Sequence, residues 1–202
     1  RIIEMKDWQP DAAPGFGWPL GERVWINPSP NAPNLWMARA YAGAVMLEGT
    51  TLSEGRGTTR PLELFGAPDI DGRRLIAEMH ALAPQWLQGC RLRACCFEPT
   101  FHKHARETCG GCQIHVTERK AFAPHRAAIE LLVEFHRQAP DRFAWRNPPY
   151  EYEHVKPPID ILYGSDQLRL AIDDGRSGAD IAGAWPRDED AFRRLREPFL
   201  LY

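Results

Sequence analysis

The stretch Ala44-Val-Met-Leu-Glu48-Gly-Thr-Thr-Leu-Ser-Glu54-Gly-Arg56-Gly-Thr-Thr-Arg60-Pro61 sets the reading of the chain. Four apolar residues, Ala44 to Leu47, run directly into Glu48. A short apolar run of this kind reads as a buried strand, which would put Glu48 at a strand end. The segment from Glu48 to Pro61 is polar and turn-rich. Glu48 and Glu54 supply carboxylates, Arg56 and Arg60 guanidinium groups, and Thr50, Thr51, Ser53, Thr58 and Thr59 hydroxyls. Gly49, Gly55 and Gly57 permit tight turns. Carboxylates beside arginines have their charged form favoured. Hydroxyl and guanidinium donors on a loop suit a hydrogen-bonding ligand such as a sugar or a carboxylate. A salt-bridged structural loop is the plainer reading of the same residues. A phosphate-binding P-loop is excluded, since its spacing and its Lys are missing.

Around this stretch the pattern alternates between helix and strand. Asn34 is placed to cap a helix over Leu35–Tyr41, closed by Gly43. The long segment Gly49 to Asp71 reads as a loop, ordered by Leu52, Leu62, Leu64 and Phe65. Leu75, Ile76, Met79 and Leu82 recur at helical spacing, as do Ala127, Ile129, Leu131, Leu132 and Phe135. Leu92–Glu98 and Gln113–Thr117 read as strands, with a polar loop from Pro99 to Gly111 between them. Beyond Arg142 lie short helices and turns: Ile159–Tyr163 before Gly164, one capped by Asp166, one capped by Ser177, and one beginning at Asp188. The N-terminal region is irregular and rich in Trp and Pro, with one short strand at Arg23–Ile26. The fold class is therefore α+β, a small mixed β-sheet packed with helices and carrying long ordered loops.

Composition narrows the function. The chain has 202 residues, of which 44% are hydrophobic and 26% charged, with a net charge of -2. That balance belongs to a globular protein and argues against nucleic acid or an anionic membrane as partner. No apolar run approaches a membrane span. The 18 Pro and 16 Gly mark a chain with much loop, where sites concentrate. The 5 Cys are an odd number, so at least one is unpaired within the chain.

His102, His104 and His115 near Cys109-Gly-Gly-Cys112 invite a zinc reading, but one Cys-x-x-Cys half-site lacks its second pair. No metal and no cofactor are expected. Cys95 and Cys96 read as buried small hydrophobes. Lys103 with its flanking histidines could bind an anionic group. Pro28-Ser-Pro-Asn31 is a rigid turn that could present Asn31 to a ligand. Trp145, Tyr150 and Tyr152 could form a sugar platform, with packing of a Pro-rich loop favoured over it.

The blocks Pro28-Ser-Pro-Asn31, Tyr41-Ala-Gly43, Glu48 to Pro61, Glu63-Leu-Phe-Gly-Ala-Pro68, Pro99-Thr-Phe101 with Lys103, Cys109-Gly-Gly111 and Gln113-Ile-His-Val-Thr117 resemble, in order, those of the exo-β-N-acetylmuramidase (NamZ) family, formerly a domain of unknown function. The resemblance is dense from Trp25 to Thr117. The chain departs from the family pattern at Thr51, where Asn is usual, at Leu62, where Phe is usual, and at Cys112, where an aliphatic residue is usual.

The resemblance implies the C-terminal part of a two-domain protein: 1–33 an entry segment from a Rossmann-like N-terminal domain, and 34–202 the C-terminal α+β domain. It implies a glycosidase that releases N-acetylmuramic acid from the non-reducing end of peptidoglycan-derived saccharides, in a cleft between the domains. Secretion or a periplasmic location is the matching expectation. Glycosidases commonly work with two carboxyl groups. Glu48 and Glu54 are the carboxylates this chain offers, with the acid/base in the first domain as the other possibility. Arg56 and Arg60 would pair with the lactyl carboxylate of muramic acid. Ser53, Thr58 and Thr59 would bond sugar hydroxyls or the acetamido group, with Asn31, Lys103 and His115 as further binding residues. The rival from another class is a non-catalytic sugar-binding module built on the same loop.

Overall fold

Asn34 accepts a hydrogen bond from the Met37 amide at 2.9 Å and so starts α1, Leu35–Ala44. In the computed structural model, which describes residues 1–6 and 24–201, the chain forms two units. One holds Asn27–Gly183, the other Arg1–Ile26 with Ala184–Tyr202.

The first unit is built on a three-stranded antiparallel sheet in the order β1-β3-β2, from β1, Leu64–Ala67, β2, Cys90–Phe97, and β3, Cys109–Val116. Leu64 pairs with Gln113 and Leu92 with Ile114. The central strand β3 is buried on most of its length, while β2 alternates between covered and exposed positions. Helix α2, Gly72–Leu82, is capped by Asp71, whose carboxylate accepts from the amides of Arg73 and Arg74. It packs on β2 and β3 through Leu75 and Met79. Helix α3, Pro124–Gln138, carries Ile129, Leu131, Leu132 and Phe135 into the core and packs against α1. Three short helices complete the unit: α4, Pro158–Tyr163, α5, Gln167–Asp173, and α6, Gly178–Ala182. Gly164, at φ +92°, ends α4 in the left-handed conformation glycine adopts freely. Ser177 and Asp180 form a reciprocal capping box on α6.

The second unit holds α7, Trp185–Arg196, which carries Arg193, Arg194 and Arg196 in its last turn, as the helix dipole favours. Among the described residues no helix is long and apolar enough to cross a membrane.

The α+β class holds, with differences in detail. The sheet is wholly antiparallel rather than mixed. Ala44–Leu47 is not a strand: α1 runs through Gly43 to Ala44, and Val45–Gly49 continues as a 3-10 turn. Gly43 does not terminate the helix because it serves another purpose. A Cβ there would stand 2.0 Å from the Pro124 carbonyl oxygen, so glycine is what lets α1 meet the start of α3. The expected loop 49–71 contains β1, and β3 starts at Cys109, two residues before the expected end of its loop. Asp166 makes no side-chain cap on α5, and α7 begins at Trp185 rather than Asp188. Cys96 is exposed and Cys95 half-buried, not core residues, because β2 shows part of its surface to water. Of the expected strand Arg23–Ile26, residues 24–26 form none, and Arg23 lies outside the described residues, as do Trp8 and Trp18.

Candidate functional site

Glu54 is the hub of the polar loop. Its side chain is fully buried, yet it keeps three cationic or polar neighbours. Oε1 accepts from Arg56 Nε at 3.1 Å and faces His102 Nδ1 at 3.4 Å. Oε2 accepts from Lys103 Nζ at 2.8 Å. Lys103 spends its remaining hydrogens on the carbonyls of Leu47 and Leu52, both at 2.9 Å. An ammonium has three donors, and here all three are used inside the protein. Burial lowers the Lys103 pKa, and Glu54 opposes that shift.

Arg56 bridges two carboxylates. Its Nε holds Glu54 and its Nη2 holds Glu48, which raises its pKa against the opposing effect of burial. Its side chain keeps 21% exposure. Glu48 sits in the 3-10 turn, 12% exposed, and its second oxygen accepts from the Tyr150 hydroxyl at 3.0 Å. The Glu48 carbonyl accepts from Arg146 Nη1 at 3.2 Å. Burial first, and Glu48 second, push the Tyr150 phenol well above its ordinary pKa, so it remains a donor at neutral pH.

Two loops are stapled together beneath these groups. The amide and the hydroxyl of Thr100 both donate to the Gly57 carbonyl, at 2.9 and 2.8 Å. Gly57 has φ +82°, and a Cβ there would lie 2.7 Å from the Phe101 amide nitrogen. Thr51 uses its hydroxyl on backbone alone. It donates to the Arg142 carbonyl and accepts from the Ala144 amide, both at 2.9 Å. Position 51 therefore fixes the segment that carries Arg146 and Tyr150.

The expected site residues separate into groups. Glu48, Glu54, Arg56 and Lys103 come together in one network. Lys103 anchors the loops and has no hydrogen left for a ligand, and Glu54 is shut off from solvent, so both frame the surface rather than form it. Ser53 is buried, its hydroxyl accepting from the Gly55 amide at 3.2 Å. Thr58 is tied into the turn by the Gly55 carbonyl at 2.6 Å and the Arg60 amide at 3.1 Å. Thr59 is exposed, and Arg60, half-exposed, stands 3.7 Å from the buried Glu63. Asn31 and His115 form no side-chain hydrogen bond with this network among the described residues. His115 lies exposed on β3 opposite Arg91.

Arg146 joins the network without having been singled out, while the sequence marks Tyr150 only as a platform residue and His102 only as a zinc ligand or as a neighbour of Lys103. Tyr150 and Arg146 lie about a hundred residues from Glu48 in sequence, and no spacing signal connects them. Trp145 packs edge-on against Phe143 and donates to Asp173 at 2.7 Å, which makes it a packing residue. Among the described residues no group of three or more His, Cys, Asp or Glu could hold a metal ion, so the zinc reading has no site there. A cavity of about 10 Å³ between α1, β3 and α3 is lined by Ala40, Phe65, Ile114 and Leu131 among others. It has room for roughly one water and no polar wall, so it is a packing gap.

Comparisons with known proteins bear on the family and the fold. The family description "Exo-beta-N-acetylmuramidase NamZ, C-terminal" matches residues 39–202. A protein of Bacillus subtilis (strain 168), "Peptidoglycan beta-N-acetylmuramidase NamZ", is 32% identical over 201 residues, which is 100% of this chain and 45% of that protein. Two DUF1343 family proteins of Bacteroides fragilis share the fold. One has a TM-score of 0.72 at 23% identity, over 88% of this chain and 45% of that one. The other has a TM-score of 0.59 at 24% identity, over 88% and 44%. The chain thus spans less than half the length of these relatives. It belongs to the exo-β-N-acetylmuramidase NamZ family and corresponds to its C-terminal part.

Proposed function

We propose that this chain is the saccharide-binding half of a glycoside hydrolase that releases N-acetylmuramic acid from the non-reducing end of peptidoglycan fragments. It faces a Rossmann-like domain of the same protein across the substrate cleft and works in the cell envelope or outside the cell. Family membership and the named activity of the Bacillus relative support the reaction class. The observation that carries the role of this half is Arg56, held by Glu48 and Glu54 while its side chain keeps 21% exposure. A guanidinium fixed in this way is preorganised for a carboxylate. The lactyl group of muramic acid is such a carboxylate.

The same geometry favours acid/base work outside this pair. Glu54 reaches no solvent, and both oxygens of Glu48 are engaged by Arg56 and Tyr150. A general acid must reach the glycosidic oxygen directly or through one water. We therefore read Glu48 and Glu54 as positioning Arg56 and assign the proton-transferring group to the first domain.

The test is turnover of a chromogenic N-acetylmuramide by the full-length protein. Release of the chromophore supports the enzyme. Saturable binding of the saccharide without release supports the sugar-binding module instead.

A further inference from the structure

His102 is the one group facing Glu54 whose chemistry leaves an acceptor to spare. Arg56 and Lys103 only donate. The imidazole turns Nδ1 toward Glu54 Oε1 at 3.4 Å, and its side chain is 40% exposed. Among the described residues Nε2 has no hydrogen-bond partner. Burial, together with the charges of Lys103, Arg56 and Arg146, outweighs Glu54 and lowers the pKa of the ring below its ordinary 6.5. The ring is thus neutral at pH 7. The tautomer protonated at Nδ1, the nitrogen that faces the carboxylate at 3.4 Å, leaves Nε2 as the acceptor.

The backbone supports a fixed role. His102 has φ +74°, a left-handed conformation uncommon for a residue with a side chain. His104 and Arg106 share it, at +54° and +65°. The loop is nonetheless closed by the Arg106 amide on the Pro99 carbonyl at 2.8 Å and by Thr100 on Gly57. Strain of this kind persists where the surroundings over-determine it, and it concentrates at ligand-holding sites. A sugar hydroxyl must donate as well as accept. Arg56 offers donors at this surface, the one hydrogen of Tyr150 is spent on Glu48, and the oxygens of Glu48 and Glu54 are already engaged.

We propose that His102 contacts the saccharide, its neutral imidazole accepting at Nε2 a hydrogen bond from a sugar hydroxyl while Glu54 fixes the ring from behind. The proposal rests on the saccharide reading of the site.

The test uses the full-length protein and two variants. His102→Asn suits the left-handed backbone and is too short to reach. His102→Gln offers an amide oxygen that does not titrate. The KM and kcat for a chromogenic N-acetylmuramide are measured between pH 5 and 8. The wild-type KM is expected to rise as pH falls and the ring takes up a proton, since the imidazolium has no acceptor. His102→Asn should raise KM about tenfold at pH 7, the loss of roughly 1.4 kcal/mol of binding, with kcat changed less. His102→Gln should stay near the wild type at pH 7 and lose the pH dependence. A His102→Asn KM within twofold of wild type overturns the proposal while the saccharide reading stands. If the wild type does not turn over, binding of N-acetylmuramic acid is followed through the His102 ring proton resonances. A shift on binding supports the contact and leaves a sugar-binding module. Binding without a shift overturns the contact alone, and no binding overturns both.

Discussion

Lys103 Nζ lies 2.8 Å from Glu54 Oε2 in a pocket where the carboxylate has no exposure and the ammonium side chain 12%. These residues are 49 apart in sequence. Together with the carbonyls of Leu47 and Leu52 they lock the segment 47–54 to the segment 99–107. The site is therefore a frame with a surface on it, and the charges inside are there to hold Arg56 and His102 in place.

Removing one partner of a buried ion pair strands the other, which costs about 3 kcal/mol or more. Lys103→Met should lower the stability by that amount in urea unfolding at pH 7. The double variant Lys103→Met/Glu54→Gln should recover a good part of the loss, because the buried carboxylate left with Arg56 alone is neutralised. A single variant within about 0.5 kcal/mol of wild type, the scatter of ordinary surface substitutions, would mean the pair does not join the loops.

Glu130 gives the fold a pH dependence of its own. It is 4% exposed on α3, and its Oε2 stands against the first residue of α6 and beside the Trp86 ring. Burial first, then Glu134, raises its pKa from 4.5 to about 7. The native state then holds more protons than the unfolded chain between these values. Its stabilising effect is complete below pH 4.5 and is lost as pH rises through 7, on the order of 3 kcal/mol. Glu130→Gln should flatten the curve of stability against pH and be the more stable protein at pH 8. Parallel curves for the two proteins would remove Glu130 as the cause.

Gly57 and Gly164 both have positive φ, at +82° and +92°, but they differ in surroundings. A Cβ at Gly164 meets nothing within 4 Å, whereas at Gly57 it would press on the Phe101 backbone. Gly164→Ala should cost about 1–2 kcal/mol, the penalty of the left-handed conformation alone. Gly57→Ala should cost more, and it should also weaken saccharide binding, because it separates the two loops under Arg56. Equal losses measured by thermal unfolding would mean that contact with Phe101 is immaterial.

How far the sequence alone reached can be traced residue by residue. The helices around Leu75 and Ile129 were legible because their apolar spacing is helical and nothing overrides it. The cap by Asn34 and the box at Ser177 arise from local chemistry. Ala44–Leu47 misled because four apolar residues fit a strand and a buried turn equally well. Gly43 misled because its role, clearance for Pro124, is a tertiary contact. The cluster of Glu48, Glu54 and Arg56 was visible as composition, and its salt-bridging was the plainer reading, but which carboxylate meets which partner was not legible. Whether Lys103 meets a ligand or the Leu47 carbonyl depends on a loop some fifty residues away. Tyr150 and Arg146 were beyond reach for the same reason, as their partner lies about a hundred residues back.

The central claim is that Arg56 recognises the carboxylate of muramic acid. The direct measurement is kcat/KM of full-length Arg56→Lys on two chromogenic substrates, an N-acetylmuramide and the N-acetylglucosaminide that lacks the lactyl group. Lysine keeps a positive charge beside Glu48 and Glu54 but loses the planar fork. The account predicts a fall of roughly tenfold or more on the muramide, equivalent to about 1.4 kcal/mol, and little change in whatever activity the wild type has on the glucosaminide. Equal effects on both substrates, or none on the muramide, would contradict it.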